Sequence, residues 1–150
     1  MKRLQDFLKN HPVIALDTSL FIYHIEDHPR YAPLTEIIFS ALEKGAINGV
    51  TSYLTLMEIL VKPKADGLLQ AARDYEYYLT TFPNITFYEM GLDVAKKASD
   101  LRATERMKTP DAIQLATALL FGATAFLTND KIFERVRGID VLILDKFLKQ

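Results

Sequence analysis

At 150 residues and 49% hydrophobic composition, the chain has the size of one compact domain that can bury a core without external staples. It contains no cysteine, which excludes disulfides, thiolate zinc sites and cysteine nucleophiles. Its formal net charge of −1 gives the molecule as a whole no attraction to a polyanion, so any nucleic-acid binding has to be local.

The N-terminal MKRLQDFLKNHP carries charge throughout, and no apolar run is long enough to span a bilayer, so a cytoplasmic protein without membrane contact is expected. Met1 to Asn10 is expected to form a short helical extension. Val13-Ile14-Ala15-Leu16 reads as a buried strand, and Asp17-Thr18-Ser19 offers helix-capping chemistry before Leu20-Phe21-Ile22-Tyr23. A helix over Leu34–Lys44 stops at Gly45, and Asn48–Thr51 reads as a short strand. Ser52 is placed to cap a helix over Tyr53–Val61, which is expected to end before Pro63 because the residue preceding proline resists helical geometry. A long helix over Ala65–Thr81 follows, then a strand over Asn84–Tyr88 and a helix over Leu92–Arg106. The clearest helix runs from Pro110 to Phe121, with Thr109 as cap, Pro110 in the first turn and Gly122 as terminator. Only Gln114 and Thr117 interrupt its apolar surface after Asp111, so it is expected to be sandwiched in the core. Ala123–Leu127 reads as strand, Lys131 begins a short helix, and Val141–Leu144 closes the sheet. Strands separated by helices imply parallel pairing and a three-layer α/β sandwich within a single domain spanning 1–150.

Four carboxylates stand out. Asp17 and Asp130 each follow a buried strand and precede a helix, the edge at which parallel α/β sheets bind ligands. Taken alone, each of them is better explained by helix capping, since aspartate there satisfies free backbone N–H groups and complements the dipole. Asp111 also suits an ordinary helix start, yet it emerges from a helix that is otherwise almost wholly apolar. Glu58 sits mid-helix in Leu56-Met57-Glu58-Ile59-Leu60, where capping is unavailable, and its bland alternative is a loose pair with Lys62 at i+4. Four carboxylates in one cleft would raise one another's pKa unless a cation neutralised them, and an oxygen-only set suits Mg²⁺ or Mn²⁺ better than zinc. Such a site can activate water against a phosphodiester. Cations gather nearby, with Lys62 and Lys64 after Glu58, and Arg102, Arg106 and Lys108 before Asp111.

At these residues the sequence resembles the PIN-domain nucleases and, among them, the VapC-like toxins of type II toxin–antitoxin pairs. Leu16-Asp17-Thr18-Ser19 resembles the family's first strand and acid, and Thr55-Leu56-Met57-Glu58-Ile59-Leu60 its helix-borne glutamate. Pro110-Asp111-Ala112-Ile113-Gln114-Leu115-Ala116-Thr117-Ala118 resembles the third block, and Leu127-Thr128-Asn129-Asp130 the fourth. The order and spacing of the four blocks are more specific than any one of them. The resemblance implies a parallel five-stranded sheet and a metal-dependent endoribonuclease with Asp17, Glu58, Asp111 and Asp130 as catalytic and metal-holding acids. It further implies Mg²⁺ or Mn²⁺ as cofactor, RNA as substrate, frequent homodimerisation and a cognate antitoxin. Thr18, Ser19, Thr128 and Asn129 fall beside the acids as supporting positions.

Two alternatives remain on sequence grounds: a catalytically silent α/β binding module whose acids are caps, and a solitary RNA-processing nuclease without an antitoxin. Glu58 argues against the first. An aspartyl-nucleophile phosphatase normally needs a second aspartate where Ser19 stands, and a receiver domain needs a different acidic arrangement. His24 and His28 stand four apart in a stretch read as helical, but two histidines without a third ligand make a poor zinc site. Tyr75, Tyr77 and Tyr78 are expected to pack partly into the core, with base stacking or a dimer surface as the functional readings.

Overall fold

The computed structural model describes residues 2–148. In chain order the elements are α1 (Lys2–Lys9), β1 (Val13–Leu16), α2 (Thr18–Ile25), α3 (Ala32–Glu43), β2 (Asn48–Ser52), α4 (Tyr53–Ala65) and α5 (Leu69–Thr80). Then come β3 (Ile85–Tyr88), α6 (Leu92–Glu105), α7 (Thr109–Leu120), β4 (Ala125–Thr128), a 3₁₀ turn (Lys131–Arg135), β5 (Asp140–Ile143) and α8 (Leu144–Leu148). The five strands form one sheet in the order β3-β2-β1-β4-β5, and every pairing is parallel. This is the three-layer α/β sandwich with a five-stranded parallel sheet that the sequence implies. Among the described residues no helix is long and apolar enough to cross a membrane.

Strand alternation divides the core in two, because successive side chains point to opposite faces of a sheet. Ile14, Leu16, Ala125 and Leu127 face one layer with Leu4, Leu20, Phe21, Leu34 and Ile38, while Ala15, Val50 and Phe126 face the other with Val94, Leu115 and Ala116. The central strands β2, β1 and β4 are buried on both sides, as a parallel sheet with helices on each face requires, while the edge strands β3 and β5 are more open. Gly49 in β2 is a point of tight packing: a Cβ there would lie 2.8 Å from Leu16 Cδ1 and 3.1 Å from Leu42 Cδ2.

Several boundaries differ from the sequence expectation. α4 does not stop at Val61 but runs through Pro63 to Ala65. Proline removes one donor in the final turn of a helix that is about to end anyway, and Pro63 is itself buried. The long helix expected over Ala65–Thr81 is broken, because Gly67 takes a left-handed conformation (φ 72°) and α5 begins only at Leu69. β4 starts two residues late and extends to Thr128, and Leu144, expected in the last strand, begins α8. Lys108, rather than Thr109, is the extended residue before α7 and supplies no side-chain cap. α7 is not covered along its whole length: Leu120 and Phe121 are exposed, while Gln114 and Thr117, its polar residues, are buried. Of the three tyrosines, Tyr75 packs against the core and Tyr78, 41% exposed, rests its ring on buried Phe82, but Tyr77 is 73% exposed. His28 is not on the helix of His24, since α2 ends at Ile25 and Asp27 turns the chain through a left-handed conformation. His24 stacks on Phe39, and His28 Nδ1 accepts from the Arg30 and Tyr31 amides, so each ring has a structural use of its own.

Candidate active site

β1 and β4 are neighbours, and both end at the same edge of the sheet. Asp17 immediately follows β1, and Asp130 follows β4 by two residues. Ser52, which ends β2, accepts from the Leu54 amide at 3.0 Å and turns the chain directly into α4, so Glu58 falls on the second turn of that helix. Asp111 lies in the first turn of α7, where its charge complements the helix dipole. The fold thus brings Asp17, Glu58, Asp111 and Asp130 to the walls of one cleft of about 700 Å³, with Thr18, Ser19, Tyr23, Gln114, Asn129 and Lys131 beside them.

Capping accounts for part of this set. Asp17 Oδ1 accepts from the Thr18 amide at 2.8 Å, and Asp130 Oδ1 accepts from the Ile132 amide at 3.0 Å. Yet Asp17 also accepts the Thr128 hydroxyl on Oδ2 at 2.7 Å, so its carboxylate is fixed at both oxygens. Asp111 makes no capping bond. Glu58 forms no ion pair with Lys62 among the described residues; its Oε1 accepts the Thr18 hydroxyl at 2.7 Å.

Burial raises the pKa of Asp17, and the Asp111 and Glu58 charges add to the rise against the opposing Thr128 and Thr18 hydrogen bonds. Asp111 is likewise raised, first by burial and then by Asp130 and Glu58, with Lys108 opposing. Asp17 thus feels the charges of Asp111 and Glu58, and Asp111 those of Asp130 and Glu58, and no salt bridge involves any of the four among the described residues. They stand around an open cleft, and among the described residues no three of them close into a ready-made metal cage.

The donor set fits a hard divalent cation: four carboxylates, none in a salt bridge among the described residues, and no histidine or cysteine at the cleft wall. A second observation points the same way. Ser19 Oγ is buried at the cleft wall without a hydrogen-bond partner, which for a buried hydroxyl calls for something the protein itself does not supply.

The remaining neighbours act on the acids' surroundings. The Asp130 amide donates to Thr128 Oγ1 at 3.1 Å, so one threonine hydroxyl touches the carboxylate of Asp17 and the backbone of Asp130. Asn129 donates to the Tyr23 hydroxyl at 3.2 Å and accepts the Asp145 amide at 2.9 Å, tying the loop after β4 to α2 and α8. Sequence reasoning did not single out Gln114, Thr51, Thr55, Tyr23 or Lys131. For Gln114 a signal was present: an amide three residues after Asp111, on the same face of an otherwise apolar helix.

Comparisons with known proteins bear on this arrangement. Curated protein sequences give no match. Among solved structures, a toxin–antitoxin complex from Klebsiella pneumoniae is similar at a TM-score of 0.68 and 22% identity, over 87% of this chain and 97% of that one. VapBC2 from Rickettsia felis, bound to a DNA fragment from its promoter, gives 0.67 and 14% over 87% and 98%. VapBC-1 from nontypeable Haemophilus influenzae gives 0.64 and 20% over 89% and 98%. At these identities the likeness speaks for the fold. The PIN-domain family model matches residues 14–139, a span that holds all four acids and, Val13 apart, the strands β1 to β4, and that ends just before β5. The chain belongs to the PIN-domain family.

Proposed function

We propose that the protein is a metal-dependent endoribonuclease that hydrolyses RNA phosphodiester bonds, and that it serves as the toxin of a toxin–antitoxin pair. The observation that carries the reading is the gathering of Asp17, Glu58, Asp111 and Asp130 around one cleft, with no salt bridge to any of them among the described residues. These four residues would hold Mg²⁺ or Mn²⁺. Such an ion, when bound, lowers the pKa of water and stabilises charge on phosphate oxygens.

The protein's own residues prepare the site. Thr128 and the Thr18 amide hold the Asp17 carboxylate in one orientation, and the Thr18 hydroxyl does the same for Glu58. The Ser19 hydroxyl, buried at the cleft wall and without a hydrogen-bond partner among the described residues, would complete its bonding with a group of the ion's ligand shell. Asn129 keeps the loop bearing Asp130 in place through Tyr23 and the α8 backbone. Lys131 at the cleft wall and Lys108 beside Asp111 supply the local positive charge that the net charge of −1 does not, and so favour an incoming phosphodiester backbone.

The toxin assignment is supported by the similar structures, which are toxin–antitoxin complexes in each of which one chain is covered over nearly its whole length. It makes a cognate antitoxin the protein partner, and a cytoplasmic location follows from an RNA substrate. Pairing of two copies is supported by an apolar strip on α4, where Tyr53, Met57 and Val61 are all exposed. The whole chain, 1–150, acts as one domain in this reading. A solitary RNA-processing nuclease is the second reading, favoured by α1, which lies outside the family match yet buries Leu4 and Leu8 in the core. Purified protein incubated with structured RNA tests the activity, with cutting expected in Mn²⁺ or Mg²⁺ and absent in EDTA. A small reading frame beside the gene, whose product binds the chain and stops cutting, distinguishes toxin from solitary enzyme.

A further inference from the structure

We infer that Gln114 is a positioning residue for the carboxylate cleft: its side-chain amide orients Thr18, and through Thr18 it sets the carboxylate of Glu58. The inference rests on the reading of that cleft as a metal site, and it concerns a residue outside the acid set.

The argument follows from counting protons. Each threonine hydroxyl has one proton to donate and two lone pairs to accept with. The Thr51 hydroxyl donates to the carbonyl of Leu16, the residue before Asp17, at 2.9 Å. Thr51 and Thr55 lie 2.8 Å apart at Oγ1, so Thr55 must be the donor between them. The Thr18 proton goes to Glu58 Oε1 at 2.7 Å. Thr18 and Thr55 therefore have no proton left for their mutual contact of 3.2 Å, and both oxygens need a donor from elsewhere. Gln114 Nε2 supplies it, at 2.7 Å to Thr55 and 3.3 Å to Thr18. The two amide protons complete a chain in which every hydrogen bond runs one way, from Gln114 outward.

Its ends are informative. One branch finishes on the backbone at the end of β1, beside Asp17, and the other on the Glu58 carboxylate. The chain joins β1, β2, α2, α4 and α7, which include the elements that carry Glu58 and Asp111 and the strand that leads into Asp17. Gln114 is 4% exposed in a helix whose other core-facing positions are almost all apolar. A buried amide is costly unless bonded, and an apolar residue would fill the space at less cost. Glu58 is itself exposed, so without the Thr18 bond its side chain would have its rotamers free. Fixing it before any cation arrives is the use to which the buried amide is put.

The test measures Mn²⁺ binding by calorimetry on the full chain with no RNA present, together with thermal melting in EDTA. Three variants are compared with the wild type: Gln114→Met, Thr55→Val and Thr55→Ser. Thr55 does not line the cleft, but its hydroxyl takes the shorter of the two Gln114 bonds, at 2.7 Å, and so anchors the amide that reaches Thr18; Val keeps its shape without the hydroxyl. Gln114→Met and Thr55→Val are expected to weaken Mn²⁺ binding by about tenfold, the low end of what removing a ligand's supporting partner does, with Thr55→Ser close to wild type. If Gln114→Met does not fold, the Thr55 pair decides alone. Equal Mn²⁺ affinity in wild type and Thr55→Val overturns the positioning role even if melting drops, because the network is then only structural. Equal weakening in Thr55→Ser and Thr55→Val also overturns it, since the effect is then packing. A wild type that binds no Mn²⁺ overturns the metal-site reading, and the positioning role with it.

Discussion

Thr128, fully buried at the end of β4, donates its hydroxyl to Asp17 Oδ2 at 2.7 Å, across the β1–β4 pairing. The same hydroxyl accepts the amide of Asp130 at 3.1 Å. A single side chain thus sets the relation between two of the four acids. Thr128→Val keeps the shape and removes both bonds. It is expected to lower RNA cleavage by roughly tenfold, in the range found when a metal ligand loses its supporting partner, and to cost about 1 kcal/mol of stability. Thr128→Ser should retain most of both. Cleavage rates and denaturant melts check this pair, and a Thr128→Val enzyme as fast as wild type would remove Thr128 from the site.

The raised pKa values of Asp17 and Asp111 fix the sign of a pH effect. Over the interval between the ordinary aspartate range and the raised values, the folded protein holds more protons than the unfolded chain. Stability then falls as pH rises through that interval. Metal-free protein should accordingly melt higher at mildly acidic than at neutral pH, as far as these two groups contribute. At neutral pH in EDTA, Asp111→Asn should melt a few degrees above wild type, because it removes one member of a repelling set. Added Mn²⁺ should reverse that order by stabilising the wild type more. Melting curves in EDTA and in Mn²⁺ test this, and an Asp111→Asn protein less stable than wild type in EDTA would contradict it.

The α4 strip gives a third expectation. Tyr53, Met57 and Val61 are 44%, 53% and 56% exposed at a spacing of four residues, which keeps them on one side of the helix. Ser52 pairs with Tyr88, so Tyr53 lies beside the segment that leads to the exposed Met90 and Leu92. Exposed apolar residues grouped in this way are what the proposed pairing of copies would bury. Wild-type protein should elute at twice its 17.1 kDa mass, and Met57→Glu combined with Val61→Glu should elute as a monomer. A wild type that is already monomeric would refute pairing of copies through α4.

Gly49 supplies a check on the fold that is independent of function. An added methyl group would meet Leu16 and Leu42 side chains closer than ordinary contact allows. Gly49→Ala should therefore lower stability by about 1–3 kcal/mol, the usual cost of overpacking a core. Urea unfolding measures it directly, and a neutral effect would mean that β2 and α3 are less tightly packed than described.

Much of this arrangement was legible in the sequence, for physical reasons that can be named. Buried parallel strands are short and apolar on every position, so Val13–Leu16 stood out, and the residue after such a strand falls at the ligand-binding edge. Gly45 and Gly122 do take the left-handed conformation expected of helix terminators. What was not legible depends on contacts between distant segments. Thr18, Thr51, Thr55 and Gln114 are unremarkable polar residues in the sequence, and only the packing of α4 and α7 against β1 and β2 brings their hydroxyls and amide together. The proline rule misplaced the end of α4, because Pro63 sits in a last turn where the missing donor matters little. Gly67, within a stretch read as one helix, was the break.

The most direct test of the account is cleavage of a structured RNA by purified protein, free of any bound partner, in Mn²⁺, Mg²⁺ or EDTA, alongside Asp17→Asn and Asp111→Asn. The account expects cutting in the presence of metal, none in EDTA, and a loss of at least about a hundredfold in either variant with the fold intact by circular dichroism. Full activity in either variant, or undiminished cutting in EDTA, would contradict the four-carboxylate site.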